Sequence, residues 1–231
     1  MDQIVKTAIA YLDKEIKKDY DNRPKKEAEN ISPMQVQYLY MRSFFPGTGL
    51  PGAVFPAMNY YRKQALQYWP KQNMYLRGMI ALFLYRTGDR KTAKDIMASL
   101  KENATVSEEL GMYWKTVQPG YYWTESPVET QSLLIEAFNE IGPDLKSTDQ
   151  MKYWLLRQKQ TRHWSNTKAT ADACYALLLN SDNWMGNPQD AEIRLGDYTV
   201  RTTSEKTETG TGYMKKVIPG DSVRAEMGNI R

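Results

Sequence analysis

One cysteine, one histidine and only short apolar runs set the first limits on this chain. A lone Cys174 permits no internal disulfide, and it neither proves a reducing compartment nor excludes export. His163 and Cys174 do not make a metal-ligand spacing, so no metal and no cofactor is expected. The longest apolar runs, 79–85 and 173–179, fall far short of the about 20 residues of a membrane-spanning helix. Gly47, Gly49 and Gly52 lack the preceding strand and the lysine of a phosphate-cradling loop. Residues 1–20 read as a charged amphipathic helix without the apolar centre and small-residue cleavage site of a leader peptide. The expectation is a cytoplasmic protein, or a Met1 that is not the natural start.

Charge of one sign is also lacking as a cluster. The 31 basic and 27 acidic residues are mixed, and the densest basic run, from Lys14 to Lys26, is interrupted by Glu15, Asp19 and Asp21. No nucleic-acid footprint follows. With 231 residues, 41% hydrophobic and 25% charged, the chain belongs to the ordinary globular class and can bury a core without staples.

What is present is a repeated alternation of helix types. Val5, Ala8, Leu12 and Ile16 mark one face of a first helix. Ser32 followed by Pro33 opens a second, whose buried side would be Val36, Leu39, Tyr40 and Phe44. Residues 46–56, with three glycines and three prolines, must be a loop before a third helix over 57–69. Residues 73–86 are apolar on nearly every side, which marks an inner helix stopped by Gly88. Asp89 then caps an outer helix with the single stripe Ala93, Ile96, Met97 and Leu100. Ser126, Pro127 and Glu129 spell a capping box for a helix that points Leu134, Ala137, Phe138 and Ile141 inward. Ser147 and Gln150 repeat it weakly before an outer helix of Met151, Trp154 and Leu155. The stretch 161–179 carries His163 and Trp164 in a polar turn, then a helix with almost no polar face that should be buried all round, Cys174 included.

From residue 191 the period becomes alternating. Ile193, Leu195, a Gly196-Asp197 turn, Tyr198 and Val200 predict a hairpin, with further strands over 210–218 and 223–227. The fold class is therefore mainly α, an α/α toroid-like array of helical hairpins over 1–185, followed by a β unit over 186–231. About eight helices are too few for a six-hairpin ring, so the ring is incomplete. The β unit has no obvious last strand, which suggests a chain cut inside a larger protein.

Several segments together carry a family resemblance. Tyr121-Tyr122-Trp123 before Ser126-Pro127-Val128-Glu129-Thr130-Gln131, the helix of Trp154-Leu155-Leu156, and Trp164-Ser165-Asn166-Thr167-Lys168-Ala169-Thr170 leading to Tyr175-Ala176-Leu177-Leu178 resemble the thioester domain of bacterial alpha-2-macroglobulins. Gly210-Thr211-Gly212-Tyr213 is similar to the CUB-like region that follows it. The resemblance spans roughly 30–230. It implies an α/α toroid within a large extracytoplasmic (periplasmic or cell-surface) protein that traps proteases, with a target protease and other domains of the same chain as partners. Reactive members carry a Gly-Cys-x-Glu-Gln thioester and a catalytic His before the Trp that matches Trp123. Here Tyr122 holds that place, and a phenol with pKa about 10 is a poor base at neutral pH. Cys174, followed by Tyr175-Ala176-Leu177, does not fit the thioester motif. The expectation is a non-enzymatic member without thioester or catalytic residues, although a thioester Cys encoded before Met1 stays open.

Tyr121, Tyr122, Trp123, His163 and Trp164 are the candidate rim and binding residues. Read as an enzyme, the chain would be a toroidal polysaccharide lyase or glycoside hydrolase using Tyr122, His163 and Glu125, with Tyr113 and Trp114 among its sugar-stacking rings. Against this, no nucleophile accompanies His163, and the rings equally pack between helix ends. Glu129 is explained by the capping box and Glu136 by an exposed face. A plain ligand-binding scaffold is the third reading.

Overall fold

The computed structural model describes residues 2–24, 30–161, 164–179, 192–201 and 215–228. The chain divides into two compact units, Met1–Leu179 and Asn180–Arg231. Eight α-helices occur among the described residues, all in the first unit. They are α1 (Asp2–Asp21), α2 (Pro33–Arg42), α3 (Phe55–Tyr68), α4 (Met74–Arg86), α5 (Arg90–Glu102), α6 (Pro127–Ile141), α7 (Leu145–Thr161) and α8 (Thr167–Leu178).

Local chemistry explains most of the ends. Ser32 caps α2 with the full capping box, its hydroxyl accepting from Gln35 N while the Gln35 side chain accepts from Ser32 N. Asn73 caps α4 through Leu76 N, and Asp89 caps α5 through Thr92 N. Gly88, at φ 96°, ends α4 with Asp89 N donating to Leu84 O and Gly88 N to Tyr85 O, the two bonds of a Schellman turn. A residue with a Cβ would be strained there.

Helices of even number adjoin in sequence: α2 touches α4, α4 touches α6, and α6 touches α8. The others flank them, α5 against α4 and α6, α7 against α6 and α8, and α1 and α3 against α2. At the centre α6 is buried without a break from Glu129 to Phe138. Close approach of α4 and α6 uses Gly78, where a Cβ would lie 3.0 Å from Leu134 Cδ2 and 3.3 Å from Leu133 Cδ2. Burying each leucine-sized side chain in this seam contributes about 1.5–3 kcal/mol.

The structure corrects several expectations. On α1 the buried side is Ile9, Asp13 and Ile16, with Ala8 and Leu12 exposed. The helix turns this way because Asp13 accepts from Tyr38 Oη at 2.6 Å and pairs with Arg42 at 3.5 Å. On α2, Tyr38 and Arg42 join Val36 and Leu39 inside, whereas Tyr40 is half-buried and Phe44, beyond the helix end, is exposed. The Ser126 box does not form: its side chain makes no cap bond, and Glu129 is turned inward. Asp144, not Ser147, caps α7, its carboxylate accepting from Ser147 N at 3.1 Å.

The irregular stretch after α5 contains an antiparallel hairpin of β1 (Thr105–Ser107) and β2 (Gly111–Tyr113). Gln131 fixes it to the core by donating to Met112 O at 2.7 Å and to Met151 O at 3.3 Å. The largest correction concerns α8. Only Ala169, Ala173 and Ala176 are buried on it, while Cys174, Tyr175 and Leu178 are exposed. As the last member of the described row it packs on α6 and α7, and no other described helix packs closely over its Tyr175 and Leu178 side.

In the second unit, β3 (Glu192–Leu195) and β4 (Tyr198–Arg201) form the expected hairpin, Leu195 opposite Tyr198 across Gly196-Asp197. Gly196 sits at φ 61°. Residues 210–214 lie outside the described set, residues 215–218 are not in a strand, and the strand expected over 223–227 is instead a 3-10 turn, Ala225–Gly228. Among the described residues no helix is long and apolar enough to cross a membrane.

Candidate functional site

The aromatic residues before α6 divide into two groups. Trp114 is buried, donates Nε1 to Leu100 O at 2.8 Å and meets Phe138, while Tyr113 stacks on Trp154 at 17°. These two are core. Tyr121, Tyr122 and Trp123 are 96%, 63% and 41% exposed and occupy a closed turn. Gly120 N donates to Glu125 O at 3.0 Å, Glu125 N to Tyr122 O at 2.8 Å, and Tyr122 N to Glu125 Oε2 at 3.3 Å. Glu125 folds so closely over Gly120 that a Cβ there would overlap its carboxylate.

The turn is anchored to the N-terminal end of α4. Trp123 lies edge-on to Tyr75 at 5.8 Å, and Asn73 Nδ2 donates to Thr124 O at 3.3 Å. Beside it opens a cavity of about 550 Å³ whose polar lining includes Asn73, Arg77, Gln118, Glu125 and Thr130. Arg77 donates to the carbonyls of Gln72 and Pro70. Burial pulls its pKa below the ordinary arginine value, and among the described residues no carboxylate pairs with it. Thr130 is almost wholly buried and its Oγ1 has no hydrogen-bond partner.

A second cleft of about 520 Å³ runs over α2, α4, α6 and α8 and is lined by Tyr40, Phe44, Tyr75, Leu133, Glu136 and Lys168 among others. Two of its lining residues, Tyr40 and Glu136, belong to a clamp. Arg86 reaches Glu136 at 2.6 Å and both carboxylate oxygens of Glu140 at 2.6 and 2.8 Å, while Tyr40 Oη donates to Glu136 at 3.0 Å. The Glu136 carboxylate is therefore buried, contrary to the exposed face expected of it. Burial works against the Arg86 cation, but its bonds to Glu140 and Glu136 hold its pKa above the ordinary value. Burial first, and the Glu136 charge second, push the Tyr40 phenol up. With both partners committed, this cluster ties α2, α4 and α6 together and offers no free base.

Of the five candidate rim residues, the structure joins Tyr121, Tyr122 and Trp123 in one turn. Trp164 is half-buried against the core, with Lys159 Nζ 5.2 Å from its ring centre and its Nε1 unpartnered. His163 lies outside the described residues. Glu125 belongs to the same turn as Tyr122, and its carboxylate is engaged with the Tyr122 amide. Among the described residues no group of three or more His, Cys, Asp or Glu could hold a metal ion.

Sequence reasoning missed Arg77 and Thr130 as site residues, and it placed Glu136 of the Arg86 clamp on an exposed face. A signal for the clamp was present: Glu136 and Glu140 are four apart on one helix face, where like charges repel unless a cation sits between them. No protein-family model matches the chain, and no curated protein matches it either.

Proposed function

We propose that the helical unit is the thioester-domain counterpart of a protease-trapping inhibitor similar to bacterial alpha-2-macroglobulins, in a form without a working thioester. In this reading the row α2, α4, α6, α8 is an arc of an α/α toroid, and the β3–β4 unit begins a CUB-like region. Its setting is extracytoplasmic and its target a protease. The observation that supports it is the position of Tyr122: a phenol on an exposed turn just before α6, at the place where, by the sequence resemblance, reactive members of that family hold an imidazole. Covalent capture is then replaced by steric enclosure.

Enclosure predicts a specific pattern of inhibition. A protease incubated with the natural full-length protein should keep cleaving a small chromogenic peptide while losing its activity on a folded protein substrate. Unchanged cleavage of the large substrate would overturn the proposal. So would depolymerisation of an acidic glycan that is lost on Tyr122→Phe, the outcome of the lyase reading.

A further inference from the structure

Three features of the rim point to a ligand independently of any protease. Two tyrosine rings stand in solvent at 5.5 Å, edge to face, on a turn closed by its own hydrogen bonds. Exposed rings held this way cost apolar hydration and return nothing to the core, so their faces are available for stacking. The same turn lends Gly120, Thr124 and Glu125 to the cavity lining, which also holds Arg77, without a carboxylate partner among the described residues, and the buried Thr130 hydroxyl, which has no hydrogen-bond partner. A buried hydroxyl left unpaired costs about 1–3 kcal/mol unless something fills the gap.

From this juxtaposition of Tyr121 and Tyr122 with Arg77, Gln118, Glu125 and Thr130, we propose a non-catalytic binding site for an acidic oligosaccharide. Each part has a task. A sugar ring presents apolar C-H faces that stack on the tyrosines and hydroxyls that suit Gln118 and the free oxygen of Glu125. Its carboxylate meets the Arg77 guanidinium, and one hydroxyl donates to Thr130 Oγ1. The cavity volume falls within the range of about 300–1,000 Å³ usual for small-molecule sites. A peptide fits less well, because none of the lining residues belongs to a strand whose edge it could extend.

Titration calorimetry of the chain with tetragalacturonic acid, with a neutral cellotetraose and with a tetraglutamate peptide tests the assignment. The acidic sugar should bind best, the neutral sugar about tenfold more weakly, and the peptide not measurably. Tyr121→Ala with Tyr122→Ala should weaken the acidic sugar at least about tenfold without lowering the melting temperature, since both rings lie in solvent. Arg77→Gln should abolish the preference for acid over neutral sugar. Thr130→Val should weaken binding about fivefold while leaving the free protein as stable or more so, which a merely structural hydroxyl would not do. Because Arg77 also holds two backbone carbonyls, the solvent-exposed double variant decides the matter if Arg77→Gln fails to fold. No binding of either sugar at millimolar concentration, binding unaffected by the double variant, or equal binding of tetraglutamate would overturn the proposal.

Discussion

Helices α6 and α8 were both expected to be inner helices, and they differ sharply. Without a break from Glu129 to Phe138, α6 is buried, including Thr130, Gln131, Ser132 and Glu136. By contrast, α8 buries three alanines and exposes Tyr175 and Leu178 by half. What separates them is neighbours. Around α6 lie α4, α5, α7 and α8, whereas α8, last in the described row, packs mainly on α6, with lesser contact to α7 and a single Lys168–Tyr75 bond to α4. Apolar composition states that a face can be buried, not that a partner exists. The polar residues of α6 make the converse point: Gln131 and Glu136 are inside because Met112 O, Met151 O, Tyr40 and Arg86 meet them there.

The contrast can be broken by substitution. Leu134→Ala on α6 should cost about 2–5 kcal/mol in urea denaturation, because its site is sealed by α4 and leaves a cavity. A loss below about 1 kcal/mol would mean that the seam can relax and the comparison fails. Glu136→Ala should cost about 2 kcal/mol by leaving Tyr40 unpaired and Arg86 with Glu140 as its one carboxylate beside the Ser43 hydroxyl. Its loss should shrink if Tyr40→Phe is introduced with it.

A smaller effect is expected at the start of α7. Bonds from Lys101, then from Ser147, hold the Asp144 carboxyl down at about 2. A depressed carboxylate stabilises the fold above its unfolded value of about 3.9 and loses that contribution as pH falls towards 2. Asp144→Ala should therefore cost about 1 kcal/mol at neutral pH. The gap between wild type and variant should narrow between about pH 4 and pH 2. A gap that stays constant over that range would show that the cap does not depend on the charge.

The smallest effect belongs to α8. Cys174→Ser should shift stability by less than about 0.5 kcal/mol, and the native thiol should react with a maleimide as fast as an exposed cysteine allows. Protection of that thiol would show that a further element covers the outer face of α8 and extends the row.

Much of the architecture was legible before any coordinates. Ser32 with Pro33, Asn73, Gly88 and Asp89 are short-range signals whose partners lie within five residues, so local chemistry alone places those helix ends. The Gly196-Asp197 hairpin is legible for the same reason. The Ser126 box failed because a motif states an opportunity: once α6 docks, Glu129 turns inward, with Asn166 Nδ2 3.4 Å away, and the reciprocal bond is not made. Of the rim, the sequence marked Tyr121, Tyr122 and Trp123, but it grouped them with Tyr113 and Trp114, which the fold sends to the core.

Periodicity, caps and glycine positions thus determined how many helices the described residues form, where most begin and end, and which carry an inner stripe. They could do so because backbone hydrogen bonding and helix pitch are local. Tertiary structure alone decided that Asp13 and Glu136 are buried, that Arg77 and Thr130 share a cavity with a tyrosine turn, and that Tyr175 and Leu178 of α8 stay half exposed. Those outcomes depend on contacts between residues 25 to 96 positions apart and on a neighbour being present or missing. No window of sequence contains such information, because the free energy of burial belongs to the pair of surfaces and not to either one.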